Sequence, residues 1–234
     1  MNITIKSSRT VGGSIAAPPS KSMAHRAVLC AALAKGTSHL HHLAFSKDIS
    51  ATLGAAGRLC ARVTTGENDA VVEGLGRFLP VDAPVDCCES GSTLRFLLPL
   101  AMTLGREVTF TGTPRLLERV MPGLWGVTPC PGGLRVTGRL TGGVYHLPGG
   151  DTSQLISGML MALPLCREDS RLEAPGPVSR PYVDLTVWVL ERYGVVLHRA
   201  QGGWRIPGGQ RFAPLPIEHG GAILQMSNGL EYDI

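Results

Sequence analysis

Three segments of the chain place hydroxyl residues at the head of an almost wholly apolar stretch. The first is Ser20-Lys21-Ser22-Met23-Ala24-His25-Arg26, running into Ala27-Val28-Leu29-Cys30-Ala31-Ala32-Leu33. The second is Ser90-Gly91-Ser92-Thr93-Leu94-Arg95, running into Phe96-Leu97-Leu98-Pro99-Leu100-Ala101-Met102, and the third is Thr152-Ser153-Gln154-Leu155-Ile156-Ser157-Gly158, running into Met159-Leu160-Met161-Ala162-Leu163. A hydroxyl before an apolar run is a helix N-cap signal. The start of a helix offers unpaired backbone N–H groups and the positive end of its dipole, so three such starts gathered together would seat a phosphate or a carboxylate. Cations are at hand: Lys21 and Arg26 in the first segment, Arg95 and Arg119 in the second, Arg180 in the third. Guanidinium groups there could grip an anion through two parallel hydrogen bonds. Singly, each residue would read as an ordinary cap or surface charge; recurrence in three copies points to a shared anion seat.

Such residues need a repeated framework to hold them. Each apolar helix is followed by a turn and a strand-like run (38–43, 108–111, 171–174), and then by a charged group opening a second helix. The copies start about 70 and then 62 residues apart, a long-period repeat. The fold class predicted is α+β (an α/β repeat): one domain of three β-α-β-α-β-β units with buried helices. Second helices are expected over 48–60 and 182–193. In the middle copy, the prolines and glycines between Pro122 and Gly133 would break a full-length helix, leaving one turn or a loop. The glycine pairs Gly142-Gly143, Gly202-Gly203 and Gly208-Gly209 read as hairpin turns, since neither nucleotide-loop motif accompanies them.

The composition fits a globular chain. Of 234 residues, 44% are hydrophobic and 17% charged, and the net charge is +4. That excludes a disordered or collagen-like chain, and no apolar run approaches the roughly 20 residues of a membrane helix. The basic residues are dispersed, which favours a small anionic substrate over nucleic acid. The first residues alternate like a strand and lack a signal-peptide core, so a cytoplasmic location is expected. Six scattered cysteines read as reduced thiols, with no redox role for Cys87-Cys88. His39 and His41 would share a strand face, but no carboxylate stands at ligand spacing, and no metal is expected. Asp48 could stabilise a helix start or belong to the site.

Pro18-Pro19-Ser20-Lys21-Ser22-Met23-Ala24-His25-Arg26-Ala27 resembles the P-x-S-K-S-x-x-H-R-A signature of the 5-enolpyruvylshikimate-3-phosphate synthase family. Glu89 to Arg95 resembles the family's second signature and Leu116 to Arg119 its R-L-x-x-R; Thr152-Ser153-Gln154 and Ser179-Arg180-Pro181-Tyr182-Val183-Asp184 stand where the family has S-S-Q and S-[KR]-P-Y-[IV]-D. Thr152 replaces the usual serine, Val120 the usual proline, and the segment after Arg119 is shorter than the family's. The related UDP-N-acetylglucosamine transferases carry lysine-asparagine where this chain has Lys21-Ser22.

The resemblance implies transfer of an enolpyruvyl group from phosphoenolpyruvate to shikimate 3-phosphate, in aromatic amino acid biosynthesis, with no cofactor. It implies that Lys21, Ser22, Arg26, Thr152, Ser153, Gln154, Ser179 and Tyr182 contact shikimate 3-phosphate. Lys21, Gly91, Arg119 and Gln154 would contact phosphoenolpyruvate or the inhibitor glyphosate, and Gly91 would permit a close approach; Asp48 and Arg95 are further candidates. Family members have two such domains, and the length here suits the first. Residues 1–17 would be a strand and hinge belonging with the second domain, 18–210 the substrate domain (copies at about 18–80, 81–146 and 147–210), and 211–234 an unmatched tail. The acid and base would lie in the second domain, as a continuation or a separate partner chain. The alternative is a non-catalytic anion-binding domain of the same fold.

Overall fold

The computed structural model describes residue 4 and residues 14–16, 18–79, 81–119, 125–148, 153–177, 179–215, 223–225 and 231–233. After β1 (Ser14–Ala16), the first copy contains α1 (Lys21–Leu33), β2 (Lys35–His41), α2 (Lys47–Leu59), β3 (Ala61–Thr65) and β4 (Ala70–Leu75). The second has β5 (Val85–Asp86), α3 (Gly91–Met102), β6 (Val108–Thr111), α4 (Pro114–Glu118), β7 (Val127–Cys130) and β8 (Gly133–Val136). The third has β9 (Gly143–His146), α5 (Ser153–Ala162), a 3-10 turn (Leu163–Leu165), β10 (Ser170–Glu173), α6 (Arg180–Arg192), β11 (His198–Ala200) and β12 (Gly203–Ile206). Two further strands follow, β13 (Ile223–Gln225) and β14 (Glu231–Asp233).

The helices begin where the hydroxyls predict. Ser20, Ser46, Ser90 and Thr113 each accept from the backbone N–H three residues on, at 3.2–3.4 Å. In the middle copy the second helix is the five-residue α4, and the described part of the proline-rich stretch turns directly into β7. Thr152 and residues 120–124 lie outside the described residues.

Each copy builds one four-stranded sheet in one pattern, β5-β6-β8-β7 and β9-β10-β12-β11, with the first pair parallel and the others antiparallel. The first copy repeats it as β13-β2-β4-β3, so a strand from the 211–234 segment takes the place that β5 and β9 hold. The paired positions Leu40/Ala70, Phe110/Leu134 and Leu172/Trp204 are equivalent, and all six side chains are buried. β1 pairs antiparallel with β14.

Inside the sheets lie the helices. From the apolar run onward, α1, α3 and α5 are buried almost all round, which explains why their sequences carry no polar stripe. Helix α2 packs on both α1 and α3, α6 packs on both α5 and α1, and α3 packs directly on α5. Among the described residues no helix is long and apolar enough to cross a membrane.

Two of the three glycine pairs are not hairpin turns. Gly202 and Gly203 do turn β11 into β12. Gly142-Gly143, however, leads into β9, which runs parallel to β10, and Gly208-Gly209 follows β12. Their need for glycine is close approach: a Cβ on Gly142 or on Gly208 would lie 2.5 or 2.3 Å from the carbonyl oxygen of Glu168. A carbonyl approached by two backbones leaves no room for a side chain.

Candidate functional site

The first turns of α1, α3 and α5 converge on a cavity of about 480 Å³, which also meets the start of α6. Seven of the expected ligand-contacting residues line it together: Lys21, Ser22, Arg26, Ser153, Gln154, Ser179 and Tyr182. Ser92 and Phe96 complete the lining and had not been singled out as site residues. The signal for Ser92 was its place two residues into the second capped helix, matching Ser22 in the first.

Arg26 is 2% exposed and ties the copies together. Its Nε donates to Thr186 Oγ1 (2.7 Å), Nη1 to the carbonyl of Ser22 (2.7 Å), and Nη2 to Ser157 Oγ (3.1 Å) and the carbonyl of Tyr182 (3.0 Å). Its guanidinium carbon also lies 4.9 Å from the centroid of the Phe96 ring. Four of five N–H donors are thus spent inside the protein, leaving one on Nη1 for a ligand. Burial pushes the guanidinium down to about 10, so it stays charged at neutral pH.

His25 is buried beside it. Its Nδ1 lies 2.7 Å from Thr52 Oγ1, Thr52 lies 2.6 Å from Thr93 Oγ1, and Thr93 donates to the cap oxygen of Ser90 at 2.6 Å. The chain of hydroxyls fixes the starts of α1 and α3 through α2. Burial lowers the His25 imidazole to about 4, against the raising influence of Asp48, so the ring is neutral.

On the open side, Lys21 Nζ pairs with Asp48 Oδ2 at 2.6 Å. Asp48 therefore stands in the first turn of α2 and also holds a cavity cation. Ser179 takes a left-handed backbone, φ 59°, without capping α6, a strain that points its residue at a functional site. Arg95 donates from Nη1 to Gln154 Oε1 (2.8 Å) and from Nη2 to the carbonyl of Arg119 (2.7 Å). Burial, and then the Arg119 charge, lower its guanidinium from the ordinary value. Gly91 and Arg119 do not line this cavity; Gly91 precedes Ser92, and Arg119 is exposed at the end of α4. Arg180 is a correction: it faces Asp184 (3.6 Å), one turn further along α6, and lines a different cavity. Helical i,i+4 geometry gives it that local partner in preference to the shared anion seat. His39 and His41 stack on one face of β2, and no metal-ligand cluster occurs among the described residues.

The fold and cavity define a class: a pseudo-threefold domain of β-α-β-α-β-β units whose inner helix starts, with their hydroxyls and cations, face one anion-sized hollow. Comparison with known proteins is specific. A family model for EPSP synthase (3-phosphoshikimate 1-carboxyvinyltransferase) matches residues 5–125. A 3-phosphoshikimate 1-carboxyvinyltransferase of Clostridium kluyveri is 38% identical, over 78% of this chain and 46% of that protein. One of Methanocorpusculum labreanum is 35% identical, over 93% of this chain and 54% of that protein. In structure, the chain is similar to the EPSP synthase of Acinetobacter baumannii, with a TM-score of 0.75 and 23% identity, covering 88% of this chain and 49% of that one. The chain belongs to the EPSP synthase family. It spans about half the length of the curated relatives it matches.

Proposed function

We propose that this chain holds shikimate 3-phosphate and forms one half of a site that transfers the carboxyvinyl group of phosphoenolpyruvate to it. The observation that carries the reading is the convergence of Lys21, Ser22, Arg26, Ser153, Gln154, Ser179 and Tyr182 on one cavity. Lys21 supplies a mobile charge, Arg26 a fixed one, and the serine hydroxyls orient the ligand's phosphate and ring oxygens. Thr152, beside Ser153, belongs to the same set. Arg119 and Gly91 serve the phosphoenolpyruvate half, where glyphosate would compete. The substrate-binding portion is residues 18–210, and the protein works in the cytoplasm.

In the reaction, the ligand's hydroxyl oxygen bonds to the central carbon of phosphoenolpyruvate, the bond to the phosphate oxygen breaks, and inorganic phosphate leaves. A proton must reach the methylene carbon while another leaves the attacking hydroxyl, and a proton must then leave the new methyl group as phosphate departs, which restores the double bond; each passes through a group within hydrogen-bond reach. No carboxylate lines the cavity among the described residues, and Asp48 is already paired with Lys21. On this reading the acid and base come from a second half, as a continuation or a separate chain, which closes on this one and excludes water.

The test is calorimetry with shikimate 3-phosphate, followed by phosphate release from phosphoenolpyruvate. The chain alone binds without turnover, Lys21→Ala weakens binding about tenfold or more, and turnover arises when a second domain from a complete relative is added. Binding that is indifferent to Lys21→Ala would remove the site. Tight binding with no turnover in the mixture would favour a non-catalytic anion-binding domain of the same fold.

A further inference from the structure

We propose that Arg95 is a positioning residue which orients the side-chain amide of Gln154 and thereby turns the Ser92 hydroxyl into the cavity as an additional anion donor. The inference deepens the ligand-binding reading above and rests on it for the Ser92 step alone.

The argument is one of donors and acceptors. A guanidinium only donates, so the Gln154 atom 2.8 Å from Arg95 Nη1 must be the carbonyl oxygen. With Oε1 so fixed, the amide nitrogen faces the other way and donates to Ser92 Oγ at 2.9 Å. Ser92 accepts from Gln154, and its own proton is free to be donated. Ser92 lines the cavity, so the acceptor it would meet there is an anionic oxygen of the ligand. The relay starts from a formal positive charge and runs one way, which polarises each donor after it.

Arg95 is itself pinned. Its Nη2 donates to the carbonyl at the end of α4, 2.7 Å away, so the fork spans the starts of α3 and α5 and the end of α4. Gly91 leaves the room for it: a Cβ on Gly91 would lie 2.7 Å from Arg95 Nη1. The arginine tip can yield where backbone could not, so Gly91→Ala should fold and yet displace the Arg95 nitrogen that meets Gln154. On this account the glycine makes room for Arg95 in addition to its place in the phosphoenolpyruvate half.

Two measurements on the full chain test the two steps. In ¹H–¹⁵N spectra without ligand, the Gln154 side-chain amide signals, assigned by their loss in Gln154→Asn, should move in Gly91→Ala and in Arg95→Lys while Ser92→Thr leaves them near the wild-type position. Signals unmoved by Gly91→Ala and Arg95→Lys would overturn the positioning role. In calorimetry with shikimate 3-phosphate, Ser92→Ala should weaken binding about tenfold, and Ser92→Thr, which keeps the hydroxyl, should stay within about threefold of wild type. Unchanged affinity in a folded Ser92→Ala would overturn the donor role. Wild-type protein that does not bind the ligand would overturn the functional reading and the Ser92 step with it, while the amide signals still decide the role of Arg95.

Discussion

The three junctions between copies are not built alike. At two of them a full helix is wedged between inner helices, α2 between α1 and α3, and α6 between α5 and α1. At the third, α4 has only five residues and α3 meets α5 directly. The wedged junctions are held by buried polar side chains: Thr52 of α2 joins His25 to Thr93, and Thr186 of α6 joins Arg26 to Ser157. The direct junction depends on Gly158, whose Cα side faces the carbonyl of Arg95, Pro99 and the Cα of Phe96. Pro99 has no N–H to give that carbonyl, so α3 leaves it available to face α5. Buried hydroxyls link the inner helices through the wedged helix at two junctions; at the third, Gln154 bonds Ser92 and Arg95 at the helix starts and Gly158 lets the two backbones close up further along.

The largest effect should come from Arg26→Ala. It strips partners from Thr186, Ser157 and two carbonyls at once, at about 3–5 kcal/mol. For a chain of this size that is a fall of about 10 °C in Tm. Measured alongside it by urea titration, Lys21→Ala, whose pair with Asp48 is more than half exposed at the lysine, should cost under about 1 kcal/mol. Equal losses would mean that the wedged junction is not held by Arg26.

Next is the other wedged junction, read through pH. His25 titrates near 4 when folded and at the ordinary 6.5 when unfolded, so between those values the unfolded chain binds a proton that the folded chain refuses. Stability from this group is therefore complete above about pH 6.5 and falls as the pH drops toward 4, by roughly 3 kcal/mol in all. Comparing unfolding free energies at pH 7 and pH 5.5, above most carboxylate titration, should show the slope in wild type and its loss in His25→Asn. A slope unchanged in the variant would assign it to other groups.

Much of this was legible in sequence. The hydroxyl-then-apolar grammar marked α1, α3 and α5, because capping and burial are local demands written in adjacent residues, and the prolines after Arg119 marked the truncated α4. The cavity residues came from the recurrence of the grammar together with the family signatures. What stayed hidden is non-local. Nothing near Ile223 says that it pairs with His39 to complete the first sheet. Nothing near Gly142 or Gly208 says that both crowd Glu168. Arg180 was grouped with the other cations by position, but it lies beside Asp184, four residues on, and lines a different cavity. Gly158 read as one small residue in an apolar run, and only the packed partner helix gives it a reason.

That last point gives the smallest predicted effect and the sharpest contrast. Intrinsic propensity favours alanine over glycine in a helix interior by about 1 kcal/mol, so any Gly→Ala change inside these helices starts with that gain. Gly54, within α2, has nothing outside its own helical turn within 4 Å of the place a Cβ would take. Gly54→Ala should therefore stabilise by about 0.5–1 kcal/mol. At Gly158 the same Cβ would lie 2.7 Å from Arg95 O, 3.1 Å from Pro99 Cγ and 3.2 Å from Phe96 Cα. Two of these three are backbone atoms that cannot swing aside, so α3 and α5 must separate. Overpacking of this kind costs about 1–3 kcal/mol, which exceeds the helical gain and leaves a net loss of about 1 kcal/mol. Opposite signs in paired urea titrations would establish that the direct junction is held by close backbone approach. If Gly158→Ala stabilises as Gly54→Ala does, α3 and α5 have slack between them, and the contrast between wedged and direct junctions fails.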